Sequence, residues 1–271
     1  MKSSKTTRIL IEGSMMIALA TVLSIFKLID MPYGGSVTIA SMLPIVIFSY
    51  RNGTAWGILS ALSYAVIQQL LGLNTLSYVT GWQSVLAVIL LDYIAAFTVV
   101  GLGGIFKKLS SNQTVALPAG VITVSILRYV LHVIAGATVW AGLSIPDNAA
   151  ILNSLGYNET YMLPEMIVTA AAAYYVGGLI DFSKPIPERM AAASKASGNP
   201  AYAALSGGSF LLGMVIDLWL IAPCLQDKKS GEFIISGLAN VDWILVAVVS
   251  AITVALGLFF LIKAKEKKEE I

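Results

Sequence analysis

Eight apolar stretches of about membrane-spanning length dominate this chain. Crossing the hydrocarbon core as a helix takes about 20 predominantly apolar residues. The stretches lie at 8–29, 36–50, 53–73, 83–106, 115–141, 160–182, 204–224 and 242–263. Only 12% of the 271 residues are charged, whereas a soluble domain has about 25% charged residues. The sequence therefore predicts an all-α integral membrane protein.

Basic residues alternate along the chain and predict a topology. They precede the first stretch and follow the second, fourth, sixth and eighth stretches. Because Lys and Arg concentrate in cytoplasmic loops, we expect a multi-pass protein with both termini in the cytoplasm. The loops at 30–35, 74–82 and 142–159 are then extracellular. Lys228 and Lys229 fall on the outer side and run against this topology.

A polar segment separates the first six stretches from the last two. Residues 183–200 read SKPIPERMAAASKASGNP and contain three prolines, a composition typical of a loop. The expected organisation is a six-helix domain over 1–182 and a cytoplasmic linker over 183–203. Two further transmembrane helices with a basic tail follow over 204–271.

Four residues spaced by four lie in the fifth stretch: Arg128, His132, Gly136 and Trp140. On an α-helix, steps of four keep side chains on one slowly winding face. That face combines a cation, the chain's only histidine, a gap and a large aromatic ring. Such a stripe suits a pocket for a polar, ring-shaped ligand better than a lipid-facing surface.

An acidic residue, Asp92, lies inside the fourth stretch, where an ionisable group is costly and usually functional. It faces a pocket, or pairs with Arg128 to hold two helices together, or does both. Trp140, Trp82 and Tyr33 lie near the predicted outer rim. They are either interfacial anchors or, beside Asp92, part of a cage for an organic cation.

Other features favour structural roles or exclude whole classes of function. Glu165 and Asp217 are interpreted as helix-packing groups. The single cysteine, Cys224, excludes an internal disulfide and a cysteine-based metal site. The chain has no GxxxxGK[ST], HExxH or GxSxG motif. A net charge of +2 gives no argument for nucleic-acid binding.

Four strings in order, over residues 8–182, resemble the thiamine-specific S component of energy-coupling factor (ECF) transporters. They are MPYGGSVTIASMLPI (31–45), LLDYIAAFTVVGLGG (90–104), LRYVLHVIAG (127–136) and NSLGYNETYMLPE (153–165). The resemblance implies a six-helix bundle in a prokaryotic plasma membrane that captures thiamine from outside. It also implies docking on a transmembrane coupling protein and two ATPase subunits, which use ATP and Mg. The chain itself would be no enzyme and would hold no cofactor or metal.

The resemblance also implies roles for individual residues. The matched ligand-contacting positions are Asp92, Tyr93, Arg128, His132, Gly136, Trp140, Tyr157 and Asn158. Asn153 stands where the family usually has a pocket tyrosine, and Tyr33 and Trp82 complete the expected binding set. Ser14 and Ala18 match a small-xxx-small pattern that docks on the coupling protein. The two helices after residue 182 are absent from six-helix members, and their role is unassigned.

A mechanism follows from the shape and charge of thiamine, a permanent cation with two flat rings. We expect Trp140 and His132 to offer faces to the rings, and Asp92 to balance the charge or to hydrogen-bond the aminopyrimidine. Asn158 and Tyr157 would fix the orientation of the ligand through hydrogen bonds. Gly136 would let a ring lie against the helix backbone.

Three alternatives remain open at this point. One is an S component for another vitamin or for a thiamine precursor such as hydroxymethylpyrimidine. Another is a membrane-embedded enzyme that uses His132 and Asp92 as acid and base. The third is a secondary carrier driven by protons through Asp92 and Glu165.

Overall fold

The computed structural model describes residues 2–31, 34–79, 81–110, 112–140, 148–190, 200–225 and 235–265. They fall into two compact units, Met1–Arg189 and Met190–Ile271, called unit 1 and unit 2. Among the described residues, six helices are long and apolar enough to cross a membrane. The prediction of a helical membrane protein is therefore confirmed. Whether the two units are separate functional domains stays a prediction.

Unit 1 is a helical bundle with two small hairpins. Its α-helices are α1 Lys2–Ile25, α2 Leu43–Asn52, α3 Thr54–Leu71, α4 Trp82–Ala87, α5 Ala96–Thr98, α6 Gln113–Trp140 and α7 Asn148–Leu179. Its strands are β1 Lys27–Asp30, β2 Ser36–Thr38, β3 Ile180–Asp181 and β4 Glu188–Arg189. The largest fully buried side chains are Tyr64, Phe48, Met42, Ile45 and Leu117. They come from α2, α3, α6 and the turn before α2, so the core lies between these elements.

The first predicted span is wrong at its outer end. Helix α1 ends at Ile25, and β1 then pairs antiparallel with β2. The turn between the strands contains Gly34 and Gly35 at φ 104° and 87°, a region that favours glycine. The connection between α1 and α2 is therefore a β-hairpin instead of a simple loop.

The second predicted span, 36–50, is also wrong. Helix α2 has ten residues, and at 1.5 Å per residue it is about 15 Å long, too short to cross a core of about 30 Å. The residues before it, 37–38 and 40–41, are buried in non-helical backbone. Such backbone is tolerated at membrane depth where protein surrounds it.

Residues 82–108, called segment 4, form one helical rod with irregular hydrogen bonding. Helix α4 continues into a π-helix over Val88–Ala95, then α5, then a 3₁₀-helix over Val99–Lys108. A Cβ at Gly101 would meet the backbone of Gly57 on α3 at 2.5 Å. The Ser49 hydroxyl of α2 donates to the Gly101 carbonyl at 2.5 Å. Glycine therefore lets segment 4 pack backbone to backbone against its neighbours.

The extracellular loop predicted over 142–159 is wrong from Asn148 onward, because α7 begins there. Residues 141–147 lie outside the described part of the chain. The string NSLGYNETY therefore lies in a helix. The predicted span began only at residue 160, after this string, but contacts with α6 and the β1–β2 hairpin accompany a helix that begins at Asn148.

Unit 2 consists of α8 Pro200–Ile221 and α9 Trp243–Lys265, with 3₁₀ turns between them. The Ser250 hydroxyl donates to Asp217 Oδ2 at 2.6 Å, and the Ser206 hydroxyl donates to the Gly257 carbonyl at 2.8 Å. Interhelical hydrogen bonds of this kind hold apolar helices together in lipid. Helix α8 begins at Pro200, before the end of the predicted linker, while Lys228 and Lys229 lie outside the described residues.

We expect Gly101→Ala to destabilise unit 1 because its Cβ has no room beside the Gly57 backbone. Overpacking of this kind costs about 1–3 kcal/mol and should lower the thermal unfolding midpoint by several degrees in detergent. Gly178→Ala on α7 is the control, since its Cβ would meet nothing closer than 3.9 Å. Equal unfolding midpoints for the two variants would contradict this packing.

Candidate ligand-binding site

A carboxylate and an imidazole meet between segment 4 and α6. Asp92 Oδ1 lies 2.9 Å from His132 Nδ1, and the two side chains are 26% and 10% exposed. Asp92 belongs to the π-helical part of segment 4, and π-helical turns occur frequently at functional sites. The pair places one hydrogen-bonded anion inside the bundle.

Arg128 continues this cluster one helical turn further along α6. Its Nη2 lies 3.5 Å from His132 Nε2, and its Nη1 donates to the Met42 sulfur at 2.6 Å. A guanidinium can only donate, so Nε2 of His132 is the acceptor and Nδ1 carries the proton toward Asp92. The predicted alternative of a direct Asp92–Arg128 pair is wrong, because His132 stands between them.

A second carboxylate, Glu165, lies deeper in the bundle. It is 4% exposed, and it accepts hydrogen bonds from the Thr38 backbone N–H at 2.5 Å and hydroxyl at 2.6 Å. The bundle therefore holds two acidic side chains, Asp92 and Glu165, each fixed by a hydrogen bond to a neighbouring element.

Aromatic rings surround the charged groups. The ring centroid of Phe97 lies 4.4 Å from the Arg128 guanidinium carbon. The Phe97 ring also stacks on the Tyr93 ring, with 6.2 Å between the two centroids. His132 has its ring edge-on to Phe97 at 6.5 Å and to Tyr161 at 6.4 Å. Tyr161 is in turn edge-on to Tyr157 at 6.0 Å. Segment 4, α6 and α7 thus contribute a continuous aromatic surface around His132.

Helix α7 presents a polar row to the same cluster. The Tyr161 hydroxyl donates to Asn158 Oδ1 at 2.6 Å, and Asn158 Nδ2 donates to the Ser154 carbonyl at 2.8 Å. The Ser154 hydroxyl donates to the Val133 carbonyl of α6 at 2.8 Å. Asn158 is therefore held by its own helix and by Tyr161.

Gly136 has a different neighbour from the one expected. A Cβ at this position would collide with the Ser154 hydroxyl oxygen and would lie 3.5 Å from Asn158 Nδ2. Its missing side chain thus serves the close approach of α6 and α7. We expected the space beside Gly136 to accommodate a ligand ring. That expectation is wrong for the space into which a Cβ would project, because atoms of Ser154 and Asn158 occupy it.

The β1–β2 hairpin closes one side of the cluster. The Tyr157 hydroxyl donates to the Gly34 carbonyl at 2.8 Å. The Tyr161 ring lies where a Cβ of Gly35 would stand, at 2.6 Å. The Tyr93 hydroxyl bonds Thr75 Oγ1 at 2.8 Å and the Gly72 carbonyl at 3.1 Å. The site is thereby joined to the hairpin and to the turn after α3.

The remaining predicted site residues stand apart or lie outside the description. Trp82 begins α4 with 72% of its surface exposed and does not join the cluster. Asn153 is half-buried one turn before Tyr157. Tyr33 and the side chain of Trp140, the last residue of α6, lie outside the described part of the chain. Their binding roles stay predictions.

The predicted docking residues lie on an outward face of α1. Ser14 and Ala18 are both exposed. The Ser14 hydroxyl turns back to the Leu10 carbonyl at 2.8 Å. Met15 and Leu19 beside them are also exposed. This face is free to contact lipid or another transmembrane helix.

Sequence reasoning missed Phe97, Tyr161 and Thr38, and it left Glu165 outside the site. Phe97 follows Tyr93 by four residues and Tyr161 follows Asn158 by three, which is helical spacing. The spacing of Asn158 and Tyr161 predicts a shared helix face only once α7 is known to begin before residue 153. No group of three or more His, Cys, Asp or Glu that could hold a metal occurs among the described residues.

Comparison with known proteins places unit 1 among vitamin transporters. A family model described as "Thiamine transporter protein" matches residues 10–177. The thiamine transporter ThiT of Bacillus subtilis (strain 168) is 34% identical over 181 residues, covering 63% of this chain and 90% of that relative. A solved structure of ThiT from Listeria monocytogenes is 23% identical with a TM-score of 0.51, covering 64% of this chain and 94% of that chain. This last similarity shows a shared fold.

We expect Gly136→Ala to destabilise unit 1, because the new methyl group meets the Ser154 hydroxyl. Ser154→Ala alone loses one hydrogen bond, at a cost of about 1 kcal/mol. The double variant should be less destabilised than the sum of the two, since Ser154→Ala removes the colliding oxygen. Unfolding midpoints of the three variants test this, and strictly additive losses would contradict the contact.

Proposed function

The chain belongs to the thiamine transporter protein family, and we propose that it captures thiamine at the outer face of a prokaryotic plasma membrane. In this proposal it is the substrate-binding subunit of an ECF transporter, with both termini in the cytoplasm. It catalyses no reaction itself. ATP and Mg would be used by two partner ATPase subunits, which act through a transmembrane coupling protein.

The observation that carries the proposal is an acidic side chain, Asp92, hydrogen-bonded to His132 beside an aromatic surface. Thiamine carries one permanent positive charge on its thiazolium ring and a hydrogen-bonding aminopyrimidine. A cation leaving water needs a replacement for its hydration, and aromatic faces supply about 0.5–2 kcal/mol each. Asp92 supplies the charge balance, and His132 holds its carboxylate in place through the 2.9 Å hydrogen bond.

Polar side chains around Asp92 and His132 would orient the bound ligand. Asn158 and Tyr157 come from α7, and Tyr93 comes from segment 4. Tyr157 is held by the Gly34 carbonyl, Tyr93 by the turn after α3, and Asn158 by hydrogen bonds within α7, so these groups are in place before the ligand arrives. Such preorganisation lowers the entropy lost on binding.

The exposed face of α1 supports a partner helix as the second part of the proposal. Ser14 and Ala18 are small and outward-facing, and small residues allow close contact between transmembrane helices. The coupling protein would pack there. Because this face lies on α1, and the ligand cluster on segment 4, α6 and α7, docking and binding can be separated by mutation.

We expect Asp92→Asn to weaken thiamine binding at least about tenfold, a loss of about 1.4 kcal/mol, because the charge opposite the cation disappears. Isothermal titration calorimetry on purified protein measures the change. Asp217→Asn in unit 2 is the matched control and should retain wild-type affinity. Equal affinities for both variants would refute the role of Asp92.

We expect Ala18→Trp to abolish thiamine uptake by cells while thiamine binding by the purified protein is retained. The bulky ring blocks close approach of a partner helix at α1. Leu59→Trp, on the exposed face of α3, is the control and should support uptake. Normal uptake by Ala18→Trp would contradict docking through this face.

A further inference from the structure

We propose that Arg51 fixes the docking helix α1 to the end of the bundle remote from the ligand cluster, so that a partner bound to α1 moves unit 1 as one body. Arg51 is thus a positioning residue for transport and takes no part in holding the ligand. The inference rests on the proposed function, because it concerns how docking on α1 acts on the rest of unit 1.

The Arg51 side chain uses every hydrogen-bond donor it has inside unit 1. A guanidinium carries five N–H groups. Nε and Nη2 donate to the two carboxylate oxygens of Glu12. Nη1 donates to the carbonyls of Phe182 and Lys184 at 2.8 and 3.1 Å, and Nη2 also donates to the Pro185 carbonyl at 3.0 Å. With only 5% of its side chain exposed, Arg51 is fixed in one position.

These hydrogen bonds join several parts of the bundle. Glu12 lies on α1, Arg51 lies in the last turn of α2, and residues 182–185 lie in the turn between β3 and β4, just after α7. Lys107, near the end of segment 4, donates from its ammonium group to the Arg51 carbonyl at 3.3 Å. Arg51 therefore connects α1 to the far ends of α7 and segment 4, the two rods that carry Asn158 and Asp92.

Helix α1 depends on such a link more than its neighbours do. Among the described spanning helices of unit 1, α1 has the smallest buried share. Because lipid is as apolar as the side chains, little hydrophobic driving force holds a helix to its neighbours. Near its outer end α1 is held through Ser24, which accepts a hydrogen bond from Gln68 at 2.8 Å. Without the Glu12–Arg51 pair, the other half of α1 would be held mainly by packing.

The pair also lies next to the proposed docking face. Glu12 precedes Ser14 by two residues, and residues two apart point to nearly opposite sides of an α-helix. Ser14 and Ala18 accordingly face outward, while Glu12 faces Arg51. A partner helix on the outer side therefore acts on the same turn of α1 that Arg51 holds from the inner side.

The ligand cluster is remote from this link. Asn158 and Leu179, the last residue of α7, are 21 positions apart (179 − 158), which corresponds to about 32 Å of helix at 1.5 Å per residue. Changes at Arg51 should therefore leave the affinity for thiamine largely unchanged. Uptake and binding become separable at this residue.

A purely stabilising role gives a different result. If Arg51 only stabilises the fold, its loss lowers the amount of folded protein, and uptake falls in proportion to the amount of protein that binds thiamine. In the proposal, uptake falls for each binding-competent molecule. Any firm connection between α1 and α2 at this point then restores uptake, whatever its chemistry.

The experiment replaces the ion pair by a reversible cross-link. Glu12→Cys and Arg51→Cys are combined in the full chain with Cys224→Ser, which removes the chain's only natural cysteine. A bifunctional methanethiosulfonate reagent joins the two thiols through disulfides, and a reductant releases them. Mass spectrometry verifies the cross-link. Uptake is measured in the native cell with the variant in place of the wild-type chain, and affinity is measured by calorimetry on purified protein.

We expect the open double-cysteine protein to bind thiamine within about twofold of the wild-type affinity, because the two regions are distant. Its uptake per binding-competent molecule should fall about tenfold, a usual size for coupling between sites. The cross-link should restore most of the uptake, and reductant should abolish it again. Glu188→Gln, which breaks the exposed Lys184–Glu188 ion pair on the same turn, is the control and should retain uptake.

Two results would overturn the proposal: a verified cross-link that leaves uptake low, or wild-type uptake by the open double-cysteine protein. Glu12→Gln serves as a second variant if the double-cysteine protein does not fold. It keeps the shape of the side chain and removes the charge, so uptake should fall while affinity is retained. Normal uptake by Glu12→Gln would then overturn the proposal.

Failure of the proposed function gives a distinct result. Normal uptake by Ala18→Trp would overturn docking on α1, and this inference with it. Loss of uptake in Ala18→Trp, together with normal uptake in the Glu12 and Arg51 variants, would overturn only the role of Arg51.

Discussion

The hydrogen bond between Asp92 and His132 is the interaction on which the site depends. It joins segment 4 to α6 across 2.9 Å, in surroundings where an isolated carboxylate would be costly. The π-helical turn in segment 4 carries Asp92 at this position. Arg128, which can only donate, fixes the tautomer of His132 from the other side. The Asp92 side chain is thereby held in a defined orientation.

The chain before α2 provides the second constraint. It leaves the helical state after Ile25, turns at two glycines, and reaches Glu165 through Thr38 before α2 begins. Because this backbone is not helical, its polar groups need partners from the surrounding protein. Glu165 and Tyr157 supply two of them. The groups that complete the fold here also surround the Asp92–His132 cluster.

Much of this organisation could be predicted from the sequence, and the failures have physical causes. Hydropathy predicted a helical membrane protein, and the four-residue spacing of Arg128 and His132 predicted that they share one face of α6. The hairpin was missed because its strands are short and lie between apolar helices. The early start of α7 was missed because its first turns carry polar residues. Their partners in the surrounding protein cannot be seen in the sequence. The position of Glu165 beside the cluster could not be predicted, because its hydrogen-bond partner Thr38 is distant in the sequence.

The chain's single histidine gives the most direct test of the central claim. In protein labelled with ¹⁵N-histidine and purified without a histidine tag, NMR reports the imidazole of His132 alone. We expect a neutral ring protonated at Nδ1, with both nitrogen resonances shifting when thiamine is added to saturation. Resonances that are unchanged by saturating thiamine would contradict a binding site at Asp92 and His132.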